Sequence, residues 1–277
     1  MTKKINLFLL GLGLAFGSQI SVAADKPFQW PNGAKAAINL AYDDALPTQL
    51  DNAIPALDKY GLKGSFYLTL SAETVANRMA DWRKAAINGH ELANHTLFHQ
   101  CSRAGAGREW VQPENDLDKV SAVQLAAQIR VGNTMLHAID GKTERTFTTP
   151  CGDLNAGGTP YLPLVKNEFV AAKAAFGRVV PDMKTLDPYS VVVATPADVS
   201  GKELIAAVKE AAAKGTMMNF TFPEVEDEVW KEQLKKTHSI RDFQVNFVYQ
   251  SIQRVLERSS EGLTTSGFEK LSPDISY

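Results

Sequence analysis

The chain of 277 residues is 44% apolar and carries 29 Lys+Arg against 31 Asp+Glu, a net charge of −2. That apolar content suffices for a packed core and excludes a disordered chain. The balanced charge, with no basic run, excludes a nucleic-acid binder driven by phosphate contacts. The length suits one large domain, such as a single α/β barrel, or two small ones.

Lys3 and Lys4 precede a mainly apolar run from Ile5 to Phe16 that is too short to span a bilayer. Ser21-Val22-Ala23 or Val22-Ala23-Ala24 then supplies a small-residue cleavage pattern. Residues 1–24 are expected to be a signal peptide, the competing reading being an uncleaved anchor, and the product is expected to be periplasmic or secreted. No later stretch reaches transmembrane length, so no integral membrane segment is expected after signal removal. The two cysteines, Cys101 and Cys151, invite a disulfide in an exported protein.

Strand-like and helix-like segments then alternate. Ala36 to Tyr42 is a short apolar strand followed by Asp43-Asp44. Leu50, Ile54 and Leu57 mark one face of a helix ended by Gly61. Gly64 to Leu70 is the second strand, Asp81 to Asn88 a helix closed by Gly89, and His90 to His95 a short third strand. Residues 100–116 read as a long surface loop. Asp116 is expected to cap a helix reaching about Ile139, with Leu125, Ile129 and Leu136 on one side and Gly141 after it. Arg145 to Thr149 is the next strand, and further strands are expected near Ala174–Val180, Ser190–Thr195 and Thr216–Phe222, with a helix around Leu204, Ile205 and Val208. This alternation implies an α/β fold with a parallel sheet and helices outside it, as a barrel, an incomplete barrel or an open doubly wound sheet. In each, ligands bind where strands end.

Three strand ends carry chemistry. Adjacent carboxylates at Asp43-Asp44 repel one another, and a cation between them would relieve this: one carboxylate coordinates while the other acts as a base. A helix cap or turn also accounts for them. His95-Thr96-Leu97-Phe98-His99 sets two imidazoles four apart, which converge on one metal if the segment is helical or folds back on itself. Two unrelated surface histidines are the plain alternative. Thr149-Pro150-Cys151-Gly152-Asp153 is a tight turn, which by itself reads as an ordinary one, though it suits presentation of backbone N–H groups. His90 and His137 lack a comparable partner and read as structural. Trp82, Trp110, Tyr161 and Trp230 suit either a sugar groove or a core.

Taken together, these motifs resemble the polysaccharide deacetylases of carbohydrate esterase family four, the nodulation-deacetylase-like group. Ala41-Tyr42-Asp43-Asp44 matches the family's first motif, His95-Thr96-Leu97-Phe98-His99 its His-[Ser/Thr]-x-x-His, and Pro150-Cys151-Gly152 its Pro-centred turn, over roughly residues 35–222. The resemblance implies a single distorted (β/α)7 barrel over residues 25–256. It also implies a divalent metal, zinc, held by Asp44, His95 and His99, with Asp43 as general base. Cys151, after Pro150, would offer its backbone N–H to the oxyanion, and an acetylated polysaccharide or oligosaccharide would be the substrate. Under the barrel reading Cys101 and Cys151 lie in loops at one rim, and a Cys101–Cys151 disulfide is expected. The further ligands that an amidohydrolase would want after later strands are not seen.

The sequence departs from the family twice. The family's acid histidine falls at Pro223, and its base-orienting arginine at Thr148. Three readings follow: cleavage of an acetyl ester, whose leaving group needs an acid less; a proton supplied by His238 or Glu224; or a non-catalytic or weakly active glycan-binding relative on the same scaffold. Residues 257–277, rich in Ser, Thr and Gly, are expected to form a flexible tail.

Overall fold

A computed structural model describes residues 28–30, 33–196, 199, 201–222 and the backbone of 244–246. The leader at 1–24, Pro223, Glu224, Trp230, His238 and the tail at 257–277 lie outside the described residues. Strands β1 (Ala36–Asp43), β2 (Ser65–Leu68) and β3 (Glu91–Asn94) are separated by α1 (Ile54–Lys59), α2 (Glu73–Asn77) and α3 (Met79–Ile87). After α4 (Ala122–Asp140) come β4 (Thr146–Thr148) and a small hairpin of β5 (Asn155–Ala156) and β6 (Thr159–Pro160). Then follow α5 (Leu162–Val165), β7 (Ala171–Phe176), β8 (Val191–Val193), α6 (Gly201–Lys214), β9 (Met217–Phe222) and β10 (Gln244–Asn246).

The sheet is parallel, in the order β9-β1-β2-β3-β4-β7-β8, with β10 against the start of β1. An isolated parallel bridge between Ala194 and Phe220 brings the end of β8 back to β9. The seven strands thus nearly close a barrel, the distorted (β/α)7 architecture that the alternation and the motifs imply. Strand alternation sorts the side chains. Ile38, Leu40, Tyr42, Phe66, Leu68, Phe220 and Phe222 pack with Leu57, Trp82, Leu136 and Val208 of the surrounding helices. The opposite face is small and polar: Ala41, Tyr67 and Ala93 meet there, Thr146 Oγ1 donates to Glu91, and Ser65 donates to Asn39.

Two local expectations are corrected. The long helix starts after Ser121, not at Asp116: Ser121 accepts from Gln124 N and the Gln124 side chain accepts from Ser121 N, a capping box. Asp116 instead caps the short 3₁₀ turn Leu117–Lys119. The strand expected at Ala174–Val180 runs from Ala171 to Phe176. Val179 and Val180, the residues with the strongest strand preference there, lie beyond Gly177 and meet β9 only through an isolated antiparallel bridge from Val179 to Met218.

Candidate functional site

The C-terminal ends of β1, β3, β4, β7 and β9 surround a cavity of about 190 Å³ lined by Asp43, Asp44, His95, His99, Thr148, Cys151, Lys173, Phe176 and Thr221, among others. Among the described residues, the non-glycine positions with positive φ are Asp44, Ala45, Thr96, His99 and Cys151. All five lie on the three loops that carry the sequence motifs. Such conformations cost of order 1–3 kcal/mol each and persist only where the surroundings hold them.

Asp44 follows β1 directly, its N–H donating to Tyr67 O of β2 at 3.1 Å. The loop after β3 folds back rather than forming a helix. Asn94 fixes the turn: its Oδ1 accepts from Thr96 N at 2.7 Å, while its amide donates to Ile129 O and Asn133 Oδ1 of α4. Thr96 Oγ1 then accepts from His99 N at 3.1 Å. The result brings His95 and His99 edge to face at 4.7 Å, each Nε2 lying 3.3 Å from Asp44 Oδ1.

The electrostatics suit cation binding. Burial pushes the His99 imidazole down to about 4, with neighbouring His95 adding to the effect against the pull of Asp44 and Asp43, so the ring is neutral at pH 7. Burial raises the Asp44 carboxyl, but the His95 hydrogen bond and the charges of His95, His99 and Lys173 outweigh it and hold the group below its ordinary value. His95 Nδ1 lies 3.1 Å from Thr148 O; carrying the proton there leaves a lone pair on Nε2. One carboxylate oxygen and two imidazole nitrogens within 4.8 Å of one another fit a zinc-type donor set with open positions.

Asp43 stands beside this trio without joining it. Its Oδ1 accepts from Lys173 Nζ at 2.8 Å, and the same ammonium donates to Thr221 Oγ1 at 2.7 Å and lies 4.0 Å from the Tyr67 ring centroid. Thr148, where the resemblance places an arginine, pairs in register with Lys173 on the neighbouring strand. Lys173 lies one residue before the strand start that the sequence predicts at Ala174, and the observed strand, beginning at Ala171, includes it. A lysine on the inward face of a strand was the available signal.

The turn at Pro150-Cys151-Gly152 forms the opposite wall. Gly152 N donates to Thr149 O and Asp153 N to Pro150 O. Gly152 has φ +71°, and a Cβ there would lie 2.3 Å from the Phe176 ring, so the position combines a left-handed backbone with close packing. Cys101 and Cys151 form a disulfide across 50 residues of sequence. Arg108 clamps the same turn, bonding both Asp153 carboxylate oxygens and Cys151 O. The long loop is therefore stapled to the site.

His90 and His137 are placed elsewhere. His90 is buried between Gly64 N and Asp58, and exposed His137 meets Lys142 O. Trp82 is core and Tyr161 is buried with its hydroxyl on Asp153 O, whereas Trp110 is exposed.

Residues 31–159 match the family model described as polysaccharide deacetylase. No curated protein matches the sequence. A solved structure from Mycobacterium smegmatis, described as a polysaccharide deacetylase, is 12% identical with a TM-score of 0.56, covering 86% of this chain and 95% of that one. The peptidoglycan deacetylase structure from Bacillus subtilis is 16% identical with a TM-score of 0.52, covering 85% of this chain and 97% of that one. At these identities the structures speak for the fold, and the family match speaks for the segment that carries the paired aspartates and the histidines. Residues 31–159 of this chain are thus similar to the polysaccharide deacetylase family, and its fold is that of the two solved deacetylase structures.

Proposed function

We propose that this is an exported, metal-dependent deacetylase that hydrolyses acetyl groups on a glycan, with Asp44, His95 and His99 holding a zinc ion and Asp43 acting as general base. The observation that carries the reading is the convergence of two imidazole Nε2 atoms on one Asp44 oxygen beside a second, separately held carboxylate. When bound, the ion supplies Lewis acidity to a carbonyl and to water. Asp43 accepts the proton of the attacking water on the oxygen that Lys173 leaves open. Cys151 N–H donates to the oxyanion that forms on the acetyl carbonyl. The disulfide and the Arg108 clamp keep that donor in place.

Among the described residues lining the cavity, the histidines are the two assigned to the metal. The proton for the leaving group therefore comes from another group, and an alcohol needs it less than an amine does. Acetyl esters accordingly belong beside acetamides among the substrates to be tried. The zinc-loaded protein is expected to release acetate from N-acetylglucosamine oligomers or from acetylated xylan. A chelator should abolish release, and Asp43→Asn should lower it by at least about 10²-fold while zinc is retained. A metal-loaded protein that binds these glycans and releases nothing from either would identify a glycan-binding relative instead.

A further inference from the structure

Among the described residues, Lys173 is the buried ammonium that reaches the site, with 1% of its side chain exposed against 15% for Asp43. The cation is sealed behind the carboxylate, and the carboxylate faces the cavity. An ammonium has three donors on a flexible stem. Here one goes to Asp43 Oδ1, one to Thr221 Oγ1, and the third direction is covered by the Tyr67 ring. The three contacts come from β1, β9 and β2, whereas Lys173 is on β7, which is not a sheet neighbour of any of them. The contact therefore crosses the barrel and fixes one carboxylate oxygen from the far wall, leaving the other free.

We infer that Lys173 is a positioning residue: it holds Asp43 as a base and keeps its carboxylate from swinging onto the metal centre formed by Asp44, His95 and His99. The inference rests on the proposed function, its kinetic arm on acetate release and its zinc arm on the metal centre. A base displaced by even an ångström loses rate without losing substrate, so kcat should fall and KM should not.

The test uses the full chain. Lys173→Met, similar in length and unable to donate, is expected to lower kcat for acetate release about 10²-fold with KM nearly unchanged. Lys173→Ala should regain activity with added methylammonium and not with tetramethylammonium, which has no N–H to donate. Zinc affinity, read by chelator competition, should rise in Lys173→Met, and most of that rise should disappear when Asp43→Asn is added. An unchanged kcat, or an equal rise with and without the Asp43 carboxylate, overturns the inference. If the parent protein releases no acetate, the catalytic reading fails and the zinc comparison alone decides this one. Should Lys173→Met not fold, Thr221→Val removes a single anchor of the ammonium. It is expected to lower kcat severalfold, and an unchanged kcat there overturns the inference as well.

Discussion

At the scale of single residues, burial drives two imidazoles towards neutrality for different ends. His99 ends as a neutral ring facing Asp44 at the site, whereas His90 is a piece of scaffold. His90 Nδ1 accepts from Gly64 N at 3.1 Å, so in the neutral ring Nε2 carries the proton and donates to Asp58 Oδ1. Burial lowers the His90 pKa despite that carboxylate, and the His90 hydrogen bond, with help from Lys63, holds the Asp58 carboxyl below its ordinary value. Both groups bind protons less readily folded than unfolded. The His90 contribution is therefore complete above its unfolded value of about 6.5 and is lost as pH falls through its lower folded value. That of Asp58 is lost at still more acid pH. Thermal melts of the metal-free protein are expected to fall between pH 7 and pH 5, and His90→Leu should melt lower overall with a flatter slope across that interval. Lys173 belongs to the same scale. Removing one partner of a buried ion pair typically costs about 3–5 kcal/mol, but Asp43 opens to the cavity and can be hydrated there. Lys173→Met should consequently lose less than that range in urea unfolding.

At the scale of elements, the site depends on how α4 lies against β3. Gly132 sits in the middle of α4, where glycine costs about 1 kcal/mol relative to alanine. A Cβ there would stand 2.9 Å from Asn94 Nδ2, the amide that anchors the histidine loop. Gly132→Ala gains helix propensity, but it must displace that amide from Ile129 O and Asn133, at about 1–3 kcal/mol for each group left unsatisfied. The variant is expected to melt lower and to bind zinc about tenfold more weakly, as loss of a supporting contact commonly does. Val131→Ala, on the exposed side of the same helix, should leave zinc affinity unchanged. The elements also separate what the sequence made legible from what it hid. Asp43, Asp44, His95 and His99 stood out because paired like charges and closely spaced imidazoles need a reason at a strand end. Lys173 is a lone lysine among alanines, a pattern that draws no attention until the strand is known to begin at Ala171. Alternation from Ala171 then points it inward, where a cation demands a partner. The helix start was misplaced for a related reason: Asp116 and Ser121 are both good caps, and only the tertiary contact of Asp116 with the long loop, through Arg103 N, shows which turn it closes.

On the scale of the whole molecule, the barrel keeps its oil outside and its polar groups within, so the inner wall contributes chemistry and the helical shell contributes stability. The disulfide joins the two tasks. Closing 50 residues stabilises by about 4 kcal/mol in the chain-entropy model. Replacing both cysteines by alanine is expected to cost 2–4 kcal/mol in urea unfolding. Zinc affinity should fall with it, because Cys101 lies two residues from His99. The same cross-link also decides which edge of an imidazole is on offer. Cys101 Sγ lies 3.7 Å from His99 Nδ1, and the ligand atoms of His99, Cys101 and Cys151 lie within 4.8 Å of one another. Reduced to thiols, the pair becomes a soft trap on the wrong side of the ring, and thiolates hold zinc tightly. On the proposed reading, protein purified under reduction is expected to bind zinc at this second cluster and to release no acetate, until air or a disulfide catalyst re-forms the cross-link.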